Sequence, residues 1–258
     1  MAAQTQRLPA VPPDPFDWRP QRPLVTGSLA TRKRHEVTNA IIEPLWEGDH
    51  VLAHYQAQRP GPDVGAGAAA GAGPTARTGT ACGTGRPWLR LIADSGEDVS
   101  ELEAEVGDRL REAILAEEAV IDGFLTPQAT RGGASVSLQP SVKPGRFNLL
   151  YTRTVETDVS PPPRSPESPV AFVAVDLLRV DGQELFDIPL LERKRLLEAI
   201  LVESERVRVS PFTQPPLGHW LRTWRAAGFR GVVLKAANSR YRPGHESEEW
   251  VAALSSRR

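Results

Sequence analysis

Covalent or metal chemistry in this chain would have to be drawn from lysine, cysteine and histidine, and all three are scarce. Of 31 Lys and Arg residues only Lys33, Lys143, Lys194 and Lys235 are lysines, so nearly all the positive charge is guanidinium, which does not act as a nucleophile. Cys82 is the single cysteine and the five histidines are scattered, which excludes a disulfide scaffold and gives no Cys/His zinc spacing. The alternating glycines of residues 59–87 superficially match phosphate-binding loops. No apolar strand leads into them and no helical pattern follows, so they read as a flexible loop insertion of small residues. The stretch that can organise a site is residues 41–55, IIEPLWEGDHVLAHY. It predicts a strand, a tight Glu-Gly-Asp turn and a returning strand, a hairpin forming one wall of a pocket with Leu45 at its focus.

Composition bounds the rest. The 258 residues, 40% hydrophobic and 24% charged, suffice for one large globular domain or two modest ones. A net charge of −1 supplies no global attraction to DNA or to anionic membranes. No apolar run is long enough for a membrane span, and the Pro-rich, charged N-terminus lacks the apolar segment of a signal peptide, so a reducing cytoplasm is expected.

The elements that would position a site follow from periodicity. Residues 1–26 read as a Pro-rich arm that Phe16 and Trp18 can pin to a surface. Arg32, Lys33, Arg34 and His35 read as a solvated basic run. Residues 51–57 and 88–93 are strand-like, placing the Gly/Ala-rich insertion at a hairpin tip. Asp98 reads as a helix cap, with Glu101 three residues on and Val99, Leu102, Val106, Leu110 and Ile114 at helical spacing. Residues 119–125 predict a buried strand ending at an Asp-Gly turn, and residues 146–154 a further strand. Residues 170–180, VAFVAVDLLRV, are the strongest strand signal and end at Asp181-Gly182. Asp187 can cap a following helix with Pro189 in its first turn and Leu190, Leu197, Ile200 and Leu201 on its buried face. Residues 207–209 and 231–236 read as strands. Between them Leu217, Trp220, Leu221 and Trp224 fall at i, i+3, i+4 and i+7, with Gly228 as the stop signal. Several strands with separated helices indicate an α+β fold rich in antiparallel hairpins.

The order of the segments is more specific than any one of them. VAFVAVDLLRVDGQELFDIPLLERKRLL, followed later by AAGFRGVVLKAANSRYRPGHESEEWV, closely resembles the second half of the adenylation domain of ATP-dependent DNA ligases. EPLWEGDHVL, LIADSGEDVSE and VIDGFL occur in the order and at roughly the spacing of that family's earlier motifs. The resemblance spans about residues 37–251. It implies a ligase-type nucleotidyltransferase fold, α+β, with antiparallel sheets flanked by helices and enclosing ATP. It also implies a lysine that attacks the ATP α-phosphorus, carboxylates that hold ribose and a divalent metal, and cations that stabilise phosphate charge.

Carried residue by residue, the resemblance places Leu45 where the family has its nucleophilic lysine, within Glu43, Pro44, Leu45, Trp46, Glu47 and Gly48. A hydrocarbon cannot attack phosphorus. The arginine position after the turn is His50, the arginine of a later motif is Asp94, and the ribose-binding glutamate of the Asp-Gly-Glu motif is Phe124, after Asp122 and Gly123. Val175-Asp176 replaces an aromatic-Asp pair. A metal-associated glutamate becomes Arg230, while Lys235 keeps a family lysine; the last motif, Trp250 to Leu254, lacks both of its lysines. Only Lys235 and Asp176 retain functional side chains.

The sequence therefore leads to a ligase-like domain over residues 27–254, with a tail at 255–258, that has lost covalent adenylation and acts by binding or as a scaffold in a DNA-repair setting. The alternative is an active ATP-dependent DNA ligase or nucleotidyltransferase with a displaced nucleophile, Lys143 or Lys235, using ATP and Mg2+. No catalytic residue and no metal ligand is expected under the first reading. Nicked DNA or a DNA-repair protein is the partner implied by resemblance, and a membrane is not. Only eight residues follow Trp250, so an OB-fold domain of the kind that follows in active ligases is not expected here.

Overall fold

The structure, a computed structural model, describes residues 14–26, 37–57, 86–129, 169–215, 224–225 and 227–254. Two sheets form the framework. The first has four strands in the order β1 (Arg22–Thr26), β10 (Glu246–Leu254), β9 (Gly231–Ala236) and β2 (Ala40–Pro44). The second runs β4 (Trp88–Ala93), β3 (Asp49–Gln56), β5 (Glu118–Thr126), β6 (Ala171–Val180) and the short β7 (Gln183–Glu184), with β8 (Val207–Val209) parallel to β6. Helices α1 (Ala104–Ala113) and α2 (Leu190–Ile200) complete the α+β fold.

Alternation along the strands divides the core. Val51, Ala53 and Tyr55 of β3 join a cluster with Val106, Leu110 and Leu197 of the two helices. Leu52, on the opposite face, packs with Ile41 and Trp250 of the first sheet and with Trp18, which precedes β1, as a side-chain period of two requires. β6 is buried along Ala171–Leu178 because both faces are covered, which explains why its sequence there is apolar except for Asp176.

The expected hairpin over residues 41–55 is overturned. β2 pairs with β9 in the first sheet, whereas β3 pairs with β4 and β5 in the second. Residues 45–48 therefore carry the chain from one sheet to the other. Gly48 makes the crossing possible: its φ is +144°, and a Cβ there would collide with the Leu125 carbonyl. Asp122-Gly123 is no turn either; β5 runs through it, and the register shifts there against β6 as in a β-bulge. Helix α1 starts at Ala104 after Glu103, and Asp98 instead accepts from the Ser100 amide at 3.0 Å in a local turn. Leu102, expected on the buried stripe, is largely exposed. Pro189 occupies the cap of α2, which has no side-chain cap hydrogen bond, so Asp187 does not cap it. Other expectations stand: β3 and β4 pair across the insertion, from Gln56 to Trp88, and Asp181 and Gly182, both at positive φ, turn β6 into β7. Residues 32–35, 58–85, 146–154 and 216–223 lie outside the described residues, as do Lys33, Cys82 and Lys143.

From Asp14 onward the Pro-rich arm is woven into the fold. β1 pairs in parallel with β10, and Trp18 is fully buried. Phe16 covers His54 with ring centroids 4.7 Å apart. Burial pulls the His54 imidazole down to about 4, an effect Asp14 opposes and Arg19 and Arg90 reinforce. Between about 6.5 and 4 the unfolded chain takes up a proton that the folded chain refuses. Stability is thus fully present above the unfolded value and falls as pH drops, by up to ~3 kcal/mol from this group. Urea midpoints measured from pH 7 to pH 4 should decline less steeply in His54→Leu than in the wild type; parallel declines would remove His54 as the cause.

Candidate functional site

The cleft between the sheets is built on the crossing segment. The Leu45 amide donates to the Gly231 carbonyl at 3.1 Å, and the Glu47 amide donates to Gln128 Oε1 at 2.8 Å. Trp46 donates from Nε1 to Ser210 Oγ at 2.9 Å and meets Phe229 edge-on with ring centroids 4.8 Å apart. Glu47 pairs with Arg230. Glu43, Leu45, Trp46, His50, Phe124 and Lys235 all line one cavity of about 40 Å³, together with Gln21, Pro23, Pro44, Asp122, Val175, Val233 and Trp250. Sites that enclose a small ligand typically offer roughly 300–1,000 Å³.

Three acidic side chains, Glu43, Asp122 and Asp176, are buried among the described residues, and each is met by partners from within the chain. Glu43 Oε1 lies 2.6 Å from Lys194 Nζ and Oε2 lies 3.1 Å from Lys235 Nζ. Ser210 Oγ stands 3.4 Å from Oε2, and Lys194 also donates to the Val175 carbonyl at 3.0 Å. Lys235 Nζ sits 4.2 Å from the centroid of the Trp250 ring, a cation–π contact. Asp122 Oδ1 is 2.6 Å from His50 Nε2, and its Oδ2 accepts from the Tyr241 hydroxyl at 2.7 Å. Burial, followed by the Asp122 charge, holds the Tyr241 phenol well above its ordinary value, so it stays a donor.

Asp176 is gripped by Arg193, whose Nε and Nη2 donate to its two oxygens at 2.8 and 2.7 Å. Burial works against the Arg193 charge, but the Asp176 carboxylate outweighs it and raises the guanidinium above its ordinary value. Arg193 also donates to the Ser239 carbonyl at 3.1 Å, so this pair locks α2 to β6 and to the segment that follows β9.

Not every position singled out in the sequence reaches the cavity. Gly48, Asp94, Asp176 and Arg230 do not line it. Asp94, where a repulsive charge was expected, stands 3.8 Å from Arg22, and its amide donates to the His50 carbonyl at 3.0 Å. His50 and Phe124 stack with centroids 4.2 Å apart and planes 11° apart. The two departures from the family pattern thus fill space against one another. Sequence reasoning missed Arg193, Lys194, Tyr241, Gln21 and Ser210 as site residues. One signal was available: Arg193 and Lys194 fall between Leu190 and Leu197 on the stripe that α2 buries, and charges on such a stripe demand buried acids.

Two sheets facing one another across a cleft, joined by a short crossing segment, define the nucleotidyltransferase fold. The ligase domain of M. tuberculosis LigD superposes with a TM-score of 0.55 at 20% identity, covering 93% of this chain and 60% of that one. A mycobacterial DNA ligase D solved in complex with ATP and MES gives 0.56 at 17% identity, covering 93% and 61%. Residues 91–252 match the ATP dependent DNA ligase domain, and the chain belongs to that family. Its relatives include a protein of Streptomyces coelicolor described as a probable DNA ligase, 28% identical over 63% of this chain. A DNA ligase of Thermococcus fumicolans is 26% identical over 60% of it. The chain spans 30% and 26% of those two relatives' own lengths.

Proposed function

We propose that this chain is an adenylation domain of the ATP-dependent DNA ligase family that no longer forms a covalent adenylate and serves as a binding or scaffold module in DNA repair. The observation that carries this reading is Leu45 at the position of the attacking amine, in a cavity of about 40 Å³. The surroundings support it. The buried acids are each held by internal cations or donors, and Arg230 occupies a position where resemblance calls for a metal-associated carboxylate. Among the described residues, no group of three or more His, Cys, Asp and Glu side chains is arranged to hold a metal ion. With Glu43 paired to Lys194 and Lys235 and Asp122 to His50 and Tyr241, the cavity's carboxylates are already engaged, and this reading expects no ATP–Mg2+ chemistry there. Among the same residues no helix is long and apolar enough to cross a membrane. Nicked DNA or a DNA-repair protein is the partner class that the family suggests.

The second reading, adenylation through a displaced lysine, has one observation in its favour: Lys235 reaches the cavity. Its ammonium is already held by Glu43 and capped by the Trp250 ring. Incubation with α-labelled ATP and Mg2+ decides between the two. Neither the wild type nor Leu45→Lys should yield a labelled protein, since an amine alone does not rebuild the phosphate and ribose contacts. Label mapped to Lys235 or Lys143 in the wild type would overturn the inactive reading, and label in Leu45→Lys would show that the cavity admits ATP.

A further inference from the structure

The C-terminal ends of the two helices are tied by a single antiparallel bridge between Ile114 and Leu201. The Leu115 amide donates to the Ile200 carbonyl at 2.8 Å and the Val202 amide to the Ala113 carbonyl at 2.9 Å. Side chains alternate along such a bridge. Ile114 and Leu201 turn into the core, which leaves Leu115 66% and Val202 50% exposed. Ile200, partly buried, continues this apolar surface, and Leu196, 39% exposed, precedes it by one helical turn on α2. None of these residues lines the cavity between the sheets.

The rim of this ridge is acidic. Glu112, Glu117, Glu198 and Glu203 are all exposed. The nearby cations Arg109 and Arg195 are occupied, by Glu112 at 3.1 Å and by Glu192 at 2.5 Å. Glu117, Glu198 and Glu203 form no ion pair among the described residues, and Glu203 Oε1 accepts from the Val209 amide at 2.8 Å. Burial first, and then the neighbouring Glu203, push the Glu198 carboxyl up, with Lys194 and Arg195 opposing. A cation brought to this edge would relieve that repulsion. Contiguous exposed apolar side chains rimmed by polar ones mark interaction sites, and here Arg109 and Arg195 are engaged by acids of the chain while Glu117, Glu198 and Glu203 have no cation partner among the described residues.

We infer that the ridge of Leu115, Leu196, Ile200 and Val202, with Glu198 and Glu203 at its edge, docks a basic amphipathic helix of a partner protein. Apolar side chains at i, i+3 and i+4 of such a helix would cover Leu115 and Val202, while flanking Lys or Arg residues would meet the glutamates. This extends the binding-module reading but does not depend on it, because the ridge shares no residue with the nucleotide cleft.

The test uses the full chain and a fluorescein-labelled Leu/Lys peptide of about 18 residues with leucines on one helical face, followed by anisotropy. Leu115→Ser/Val202→Ser and Glu198→Lys/Glu203→Lys should each weaken binding by roughly tenfold, since central apolar anchors and unpaired rim charges carry such contacts. Raised salt should weaken the wild-type complex further. A peptide of the same composition with its leucines scrambled around the helix should bind at least roughly tenfold more weakly. Wild-type affinity in both variants, or equal binding of the scrambled peptide, would overturn the proposal. So would sedimentation showing that the chain pairs with itself through this face, with Leu115→Ser/Val202→Ser restoring monomers. Thermal midpoints identify any variant that fails to fold; if the apolar pair does, the charge reversal decides.

Discussion

Replacing Glu43 by alanine should cost about 3–5 kcal/mol of folding stability, because the change leaves two buried ammonium groups without their shared carboxylate. Lys194 and Lys235 reach that carboxylate from α2 and β9, one to each oxygen. Neither can retreat to water: Glu43, Lys194 and Lys235 are 2%, 1% and 4% exposed. Against a typical net stability of about 5–15 kcal/mol, the loss would leave the protein marginal. Urea denaturation followed by tryptophan fluorescence measures it. Glu43→Gln should lose nearly as much, since it keeps the volume and removes only the charge. Glu43→Leu combined with Lys194→Met and Lys235→Met should recover much of the loss, because apolar side chains of similar size replace buried ion pairs at little cost. A drop of less than about 1 kcal/mol in Glu43→Ala would mean that water reaches the cluster.

Asp176→Asn is the second large effect, expected at about 3–5 kcal/mol. The side chain keeps its shape but loses the charge that Arg193 clamps with two parallel hydrogen bonds. Arg193, fully buried, would then hold an unpaired guanidinium beneath Tyr241. Equilibrium denaturation of Asp176→Asn, Arg193→Met and the double variant forms a cycle. A coupling near zero would show that the pair does not hold α2 to β6. In the family resemblance Asp176 was a position that kept its chemistry. The structure gives the same carboxylate an architectural partner, so its retention is no argument for catalysis.

Much of this architecture was readable from residue patterns, and the failures have physical causes. β6 announced itself because VAFVAVDLLRV is apolar on both faces and ends in Asp-Gly. The helices were legible from spacing, although α1 starts later than expected because Asp98 closes a local turn with Ser100 rather than a cap. Strand pairing was legible for β3 with β4 across the insertion, but not for β2. The turn-like Glu-Gly-Asp sequence suits a hairpin, but Gly48 is required by close approach to Leu125, a residue far away in the chain. β10 was missed because ESEEWVAAL mixes exposed glutamates with a buried second half, and its pairing with β1 depends on residues more than two hundred positions earlier. For the site, Leu45 and Phe124 stood out by comparison with motif patterns. Arg193 and Lys194 were not singled out because their acids lie on other elements.

The parallel pairing of β1 with β10 sets Arg22 against Glu246 and Thr26 against Ala253. The second sheet draws all its strands from residues 49–209, so a ribosome can release it before β9 and β10 of the first sheet are made. The first sheet cannot close until β10 emerges, a few seconds later at about 5–20 residues per second. Until then β1 keeps an unsatisfied edge, and Trp18 must wait for Trp250, its neighbour in the core. Synthesis order therefore makes β1 a late guest in its own sheet, and the nascent chain carries an open strand edge from the making of β1 until β10 follows.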